Sequence, residues 1–136
     1  MPKAFFDTNV LVYQLDKRDP KKQQISRDLV REYATEGGAV ISTQVLQEFY
    51  VAVTGKLRVD PMLAKSIMRT FENMEVVTVG PELIHEAVDT AVQNKVSFWD
   101  ALVIVCAQSA NCERLFSEDL NPGQKIRNVR IANPFA

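Results

Sequence analysis

The sequence has few of the residues that build thiol, histidine or zinc chemistry. It contains two cysteines and one histidine among 136 residues. Cys106 lies in the apolar run ALVIVCA and Cys112 follows six positions later, so neither a disulfide nor a zinc pair is predicted. His85 lies off the apolar face of its helix, which predicts a surface position and argues against histidine-based catalysis.

Long hydrophobic runs and excess charge are also missing. No apolar stretch approaches the roughly 18 residues needed to cross a bilayer, and the opening MPKAFFDTN lacks the apolar core of a signal peptide. We therefore expect a cytoplasmic protein with no membrane partner. Sixteen basic and seventeen acidic residues give a formal charge of −1, so contact with nucleic acid would need a local basic patch or a bridging metal ion.

Short apolar segments alternate with helical ones along the whole chain. The segments KAFF, AVIS, EVVTV, RLFS and NVRIA fit strands, and the residues between them fit helices. Pro61 and Pro81 begin two of these helices, and Gly37 with Gly38 ends an earlier one. This alternation predicts a mainly parallel sheet with right-handed crossovers. We predict one domain over residues 1–136, an α/β fold built as a three-layer α/β/α sandwich with about five strands.

A carboxylate interrupts the first apolar segment, AFFDTNVLVY, and two interpretations of it are open. Asp7 stands between a strand and a helix, where an N-cap is the ordinary explanation and where Thr8 or Asn9 could share the capping. The carboxyl end of a strand is also where α/β folds bind ligands. The residues around Asp7 alone favour the cap.

Three further acids stand beside apolar positions, and each has an ordinary explanation. Glu48 borders the apolar face of the helix TQVLQEFYVAVT, as a solvated flank would. Asp100 is the only charge in SFWDALVIVCAQ, and a capping box with Ser97 explains it as well as a ligand role does. Asp119 follows the strand RLFS beside Glu118, and turn chemistry explains either acid.

Taken together, the four acids indicate a metal ion. Two follow strands, and two lie on helices that begin beside the same sheet edge. If all four meet, each pair about 4 Å apart repels by about 4 kcal/mol at an effective dielectric near 20. Such a cluster needs a cation, and carboxylate oxygens without cysteine or histidine favour Mg²⁺ or Mn²⁺ over zinc.

Four motifs, in this order and over this chain length, carry a family resemblance: FFDTNVLVY, TQVLQEFY, SFWDALVI and LFSEDLNPGQ. They resemble the PIN-domain ribonucleases, most closely the VapC-type toxins of bacterial toxin-antitoxin pairs, and the likeness extends to the closing VRIANPF. The resemblance implies a metal-dependent endoribonuclease acting on RNA, and the carboxylate donors make Mg²⁺ the expected ion, with Mn²⁺ as an alternative. It also implies a homodimer and a cognate antitoxin whose peptide covers the acidic site.

The resemblance also assigns individual residues. It makes four acids the catalytic metal ligands: Asp7, Glu48, Asp100 and Asp119. Asn9 matches the polar residue that often accompanies the first acid, and Ser117 matches the hydroxyl of the last motif, which selects Asp119 over Glu118. No acid of the pattern is missing, so the motifs give no reason to predict an inactive site.

Other functions fit the sequence less well. A phosphoacceptor signalling domain needs an Asp at the end of the third strand, where EVVTVGP has none. A phosphatase of the Asp-x-Asp type needs a second acid at position 9, which is Asn9. An RNA-processing nuclease and a catalytically silent PIN-like binding module remain as alternatives to the toxin.

The substrate path is less defined than the acids. Two basic sets could grip RNA: residues 17–22, KRDPKK, and the three residues Lys125, Arg127 and Arg130. A solvated face is the more ordinary explanation of such runs, and an antitoxin could use them instead. Phe5, Phe6 and Trp99 are predicted to be core residues rather than platforms for base stacking.

Overall fold

The computed structural model describes residues 2–136. In chain order its elements are β1 (Ala4–Phe6), α1 (Thr8–Tyr13), α2 (Pro20–Thr35), β2 (Ala39–Ser42), α3 (Thr43–Gly55), α4 (Pro61–Phe71), β3 (Glu75–Val77), α5 (Pro81–Asn94), α6 (Phe98–Ser109), β4 (Arg114–Phe116), β5 (Lys125–Ile126) and β6 (Val129–Ala132). Five of the six strands lie within the five predicted segments.

The strands form one sheet in the order β3-β2-β1-β4-β6-β5. Every neighbouring pair from β3 to β6 is parallel, and β5 alone runs antiparallel, against β6. The prediction of a mainly parallel sheet is confirmed. The sequence did not predict β5, because two residues are too few to show a periodic pattern and the strand depends on the turn at Arg127 and Asn128, where both φ angles are positive.

Helices cover both faces of the central strands. Every residue of β1 and β2 is buried, so neither strand has a solvent-exposed face. Phe6 stacks on Phe116 of β4 at 5.5 Å between ring centroids and meets Tyr33 of α2 edge-on at 5.8 Å. On the helix α6 all residues from Ala101 to Ala107 are buried. The three-layer α/β/α sandwich is thereby confirmed, and a Phe6→Ala change would cost about 3–5 kcal/mol.

Local sequence signals set the helix ends. Asp60 caps α4 by accepting hydrogen bonds from the backbone N–H of Met62 and Leu63. The helix α2 ends before Gly37, whose φ of 75° is a left-handed conformation that glycine adopts without strain. These predicted boundaries are confirmed.

The remaining residues singled out for thiol or histidine chemistry lie where the sequence predicted. Cys106 and Cys112 are both buried and unpaired, and His85 is exposed. Between residues 2 and 136 there is no helix with the length and apolar character required to cross a membrane.

Candidate active site

The site lies where the strand order changes direction. The chain begins in the middle of the sheet with β1, adds β2 and β3 on one side, and then crosses to β4 on the other. Open α/β sheets bind ligands at such a switch point, outside the carboxyl ends of the two strands. Asp7 follows β1 and Ser117 follows β4, and the Asp7 N–H donates to the Phe116 carbonyl at 3.0 Å. The topology therefore brings the first and last motifs together.

Asp7 is held from two sides. Its Oδ1 accepts a hydrogen bond from the Thr8 N–H at 2.8 Å, which makes Asp7 the N-cap of α1. Its Oδ2 accepts from Ser117 Oγ at 2.7 Å. Asp7 thus caps the helix and also faces the site. The predicted sharing of the cap by Thr8 or Asn9 is wrong, because both side chains bond to other acids.

Glu48 of α3 is oriented by two neighbours. Thr8 Oγ1 donates to Glu48 Oε1 at 2.7 Å, and Gln44 Nε2 lies 3.4 Å from Glu48 Oε2. Gln44 is buried, and its Oε1 has no hydrogen-bond partner within the described residues. Sequence reasoning missed Gln44. The available signal was its position four residues before Glu48, on the same side of the helix.

Asn9 and Ser117 organise the last acid. Asn9 Nδ2 donates to Asp119 Oδ2 at 3.0 Å, and its Oδ1 accepts from the Glu118 N–H at 3.3 Å. Ser117 Oγ accepts from the Asp119 N–H at 3.2 Å. The two residues that the resemblance named as supporting therefore contact the acids directly. Through them Asp7 and Asp119 belong to one hydrogen-bond network.

Asp100 differs from the other three acids. Its backbone N–H donates to Ser97 Oγ at 3.1 Å, so Ser97 supplies the cap of α6. The half-buried Asp100 carboxylate accepts no hydrogen bond from any residue in the range 2–136. The capping explanation accounts for Ser97 and leaves the carboxylate unexplained.

All four acids line one cleft of about 670 Å³. Across the described part of the chain, no three His, Cys, Asp or Glu side chains are already drawn close enough to hold a metal ion. Repulsion between carboxylates favours this separation, and three of the acids turn to donors of their own. The fold thus brings the predicted acids to one cleft but does not preassemble them around an ion.

Burial raises the pKa of Asp7 from its ordinary value of 3.8 to about 6. Hydrogen bonds from Ser117 and Thr8 lower this pKa, and the charges of Glu48 and Asp119 raise it further. A partly buried acid near two others is stabilised by a cation. With the hard oxygen donors and the unpaired Gln44 Oε1, the residues present fit Mg²⁺ or Mn²⁺ better than zinc.

Glu118 is bound outside this network by its side chain. Its carboxylate accepts hydrogen bonds from Tyr13 Oη at 2.7 Å and from Lys22 Nζ. Although burial acts in the opposite direction, the bonds from Lys22 and Tyr13 hold the pKa of Glu118 below its ordinary value. The structure therefore separates the two adjacent acids: Glu118 pairs with a cation, and Asp119 bonds to Asn9.

Only part of the predicted basic surface reaches the cleft. Arg18 lines it, but its guanidinium makes two 2.9 Å hydrogen bonds to Asp16. Lys56, which sequence reasoning missed, also lines the cleft and has no carboxylate partner within residues 2–136. Lys125 and Arg130 lie on β5 and β6, at the far edge of the sheet.

The aromatic predictions divide into two outcomes. Phe5 and Phe6 are fully buried, as predicted. Trp99 is 61% exposed and lines the cleft, so its prediction as a core residue is wrong. The reason is its place in the first turn of α6, where burial begins only at Ala101. An apolar residue beside a site acid can thus be left uncovered.

Fold and cleft together define the class of the protein: an α/β/α domain with a carboxylate site at the switch point of its parallel sheet. A model of the PIN domain family matches residues 4–126, and the chain belongs to this family. The resemblance found in the motifs is confirmed at that level.

Solved structures with the same fold include three bacterial examples. A chain of a toxin-antitoxin complex from Klebsiella pneumoniae has a TM-score of 0.73 and 17% identity, covering 97% of this chain and 98% of that chain. VapC20 of Mycobacterium tuberculosis, titled a Sarcin-Ricin loop cleaving toxin, has a TM-score of 0.68 and 19% identity, covering 86% and 92%. VapBC2 from Rickettsia felis, bound to a DNA fragment from its promoter, has a TM-score of 0.69 and 16% identity, covering 96% and 97%. No curated protein matches the sequence.

Proposed function

We propose that the whole chain is one PIN nuclease domain that hydrolyses RNA phosphodiester bonds with Mg²⁺, as the cytoplasmic toxin of a toxin-antitoxin pair. One observation carries the proposal: the half-buried Asp7 carboxylate lies at the switch point, within hydrogen-bond networks that also include Glu48 and Asp119. A helix cap requires only Asp7, so capping does not explain why Glu48 and Asp119 lie beside it. Family membership over residues 4–126 supports the same conclusion.

The four acids would hold the ion, and the chain supplies their orientation. When bound, Mg²⁺ supplies a Lewis acid that lowers the pKa of water and neutralises charge on phosphate. Ser117 fixes Asp7, Asn9 fixes Asp119, and Thr8 fixes Glu48, each by a side-chain hydrogen bond. Such support keeps the acids near productive geometry before substrate arrives. The Asp100 carboxylate has no hydrogen-bond partner within residues 2–136, so its oxygens would be available to the ion.

Two features of the cleft fit a nucleic-acid substrate. Lys56 is a cleft cation with no carboxylate partner in the described range, so its charge is available to a phosphate. The exposed Trp99 indole offers a face on which an unpaired base could stack. Both residues line the same cleft as Asp100, which supports a substrate path beside the acids.

The partners we propose are a second copy and an antitoxin. Ile84, Val88 and Val92 are exposed at four-residue spacing on α5, and Met62 and Leu63 are exposed on α4. Exposed apolar side chains on these two helices support contact with another protein surface, and we assign that contact to a homodimer. The similarity to toxin-antitoxin complexes supports an antitoxin partner that covers the cleft. Light scattering of the purified chain, alone and with Val88→Glu, tests the dimer.

The decisive experiment is cleavage of RNA by the purified protein in Mg²⁺ and in EDTA. We expect cleavage only with Mg²⁺ and only with an intact Asp7. The matched control is Asp89→Asn, since Asp89 is an exposed acid on α5 away from the cleft. If wild type and Asp7→Asn bind antitoxin but neither cleaves RNA, the chain is a silent PIN-like module. Sequencing the RNA ends, together with growth arrest on expression, separates a toxin from a processing nuclease.

A further inference from the structure

Glu118 and Asp119 are adjacent in the segment after β4, and their side chains bind different partners. Asp119 bonds to Asn9, whereas Glu118 Oε1 accepts from Tyr13 Oη at 2.7 Å and Glu118 Oε2 accepts from Lys22 Nζ. Lys22 Nζ also lies 3.4 Å from Tyr13 Oη. Lys22 of α2 and Tyr13 of α1 thus bind Glu118. The proposed metal site uses the other acid, Asp119.

Lys22 is more enclosed than an ordinary surface lysine. Its Nζ lies 5.0 Å from the ring centroid of Tyr13 and 5.5 Å from that of Phe135. The two rings contact each other edge-on at 5.0 Å. Side-chain exposure is 31% for Lys22 and 25% for Glu118. Exposed ion pairs contribute little because water screens them and both side chains lose freedom; this pair is held in place by two aromatic rings.

The backbone of Glu118 contacts the acidic cleft through Asn9. The Glu118 N–H donates to Asn9 Oδ1, and Asn9 Nδ2 donates to Asp119. A Glu118 carboxylate turned away from Lys22 toward the cleft would place a second negative charge beside Asp119 and would compete with it for Asn9 Nδ2. The Glu118 residue lines the cleft as well, so its charge is close enough to matter there.

We propose that Lys22, held by Tyr13 and Phe135, is a positioning residue for the metal site. Its charge neutralises Glu118 and keeps that carboxylate turned toward α2, so that Asn9 remains available to orient Asp119. The inference deepens the proposed function, because the site it supports is the proposed metal site. Its test has readouts that do not depend on RNA cleavage.

The first experiment measures Mn²⁺ affinity by titration calorimetry for wild type and for Lys22→Met. We expect affinity to fall about tenfold, the typical loss when a group supporting a metal ligand is removed. Lys22→Arg should restore affinity, since it keeps the charge. The matched control is Lys21→Met, because Lys21 is the exposed neighbour and has no side-chain partner within the described residues. Unchanged affinity in Lys22→Met would make Lys22 a surface ion pair, and raised affinity would make Glu118 a withheld ligand. Either result overturns the proposal.

The double variant Lys22→Met with Glu118→Gln separates neutralisation from simple loss of a contact. Because it has no unpaired carboxylate beside Asp119, its affinity should return to within about threefold of wild type, a non-additive result. Additive losses would refute the neutralising role. The side-chain amide resonance of Asn9 gives an independent readout: it should shift in Lys22→Met and return in the double variant.

These readouts keep the two proposals apart. If wild type binds Mn²⁺ but cleaves no RNA, the proposed function fails while the affinities still test Lys22. If wild type binds no Mn²⁺, the metal site itself fails, and the Asn9 resonance alone decides whether Lys22 positions the segment.

Discussion

Asp7 and Asp100 both lie at the beginning of a helix and line the same cleft, yet their carboxylates differ in hydrogen bonding. Asp7 is half-buried and accepts hydrogen bonds from Thr8 and Ser117. The Asp100 carboxylate has no partner in residues 2–136, and Ser97 caps its helix. The two acids therefore differ in support: hydrogen bonds orient Asp7 where β1 and β4 meet, whereas the orientation of Asp100 is set by its helix alone.

The largest expected effect is on catalysis by Asp7→Asn. The amide keeps the shape and can still accept from Thr8, but it loses the charge that faces the ion. Cleavage of RNA in Mg²⁺ should fall by at least about a hundredfold, measured as kcat/KM on a fluorogenic RNA. Circular dichroism should remain that of the wild type. Activity close to wild type would show that Asp7 is only a cap.

The pH dependence of the stability of the metal-free protein tests the raised pKa of Asp7. Because burial raises its folded pKa to about 6, above the ordinary 3.8, the folded state binds the proton more tightly. The contribution of Asp7 to stability should therefore be greatest below about pH 4 and should fall as pH rises through about 4 to 6, by about 3 kcal/mol in total. Urea unfolding in EDTA measures it, and Asp7→Asn should lack this component. Identical pH profiles for the two proteins would contradict the buried position of Asp7.

The effect of metal on stability tests whether Asp100 is a metal ligand. An ion bound only by the folded state adds RT ln(1 + [L]/Kd), about 2.7 kcal/mol at a hundredfold excess over Kd, so Mg²⁺ should raise the melting temperature. Asp100→Asn should remove most of that rise while leaving the metal-free protein no less stable. A plain cap would instead cost about 0.3–1 kcal/mol with or without metal. An unchanged Mg²⁺ response would remove Asp100 from the site.

The smallest effect, from Ser97→Ala, sharpens the same comparison. Loss of this cap should cost about 1 kcal/mol of stability in both EDTA and Mg²⁺. The rise in melting temperature on adding Mg²⁺ should equal that of the wild type, because the Asp100 carboxylate is retained. Thermal melts of both proteins in the two buffers provide the measurement. A reduced Mg²⁺ response would mean that the cap and the carboxylate act as one unit.

The sequence predicted the fold well because its signals are local. Alternating segments, Pro61 and Gly37 mark the elements, and the apolar run that follows Asp100 marks α6 as a buried helix. Trp99 was assigned wrongly because apolar character does not reveal that the first turn of α6 is uncovered. The strand β5 depends on a turn of two residues with positive φ, and such a turn leaves no periodic pattern in the sequence.

The candidate site, like the fold, was predicted only in part. The acids stand out because charge is rare in apolar segments, and the resemblance supplied their roles. Their partners could not be predicted, since Thr8 meets Glu48 across 40 positions and Lys22 meets Glu118 across 96. Such pairs follow from the strand order, which no local pattern records. Gln44 alone was within reach of a helix-spacing argument.

The central place of β1 in the sheet also has a consequence for synthesis. The first strand pairs with both β2 and β4, and Asp7 meets Ser117 across 110 positions of chain. Contacts so distant in sequence form late, because the closing of a long loop must come first. A ribosome must therefore release the chain past β4 before the fourth strand can join the first. The acidic cleft cannot form until the segment that carries Ser117 and Asp119 has been made, so any RNA-cleaving activity begins only after that point.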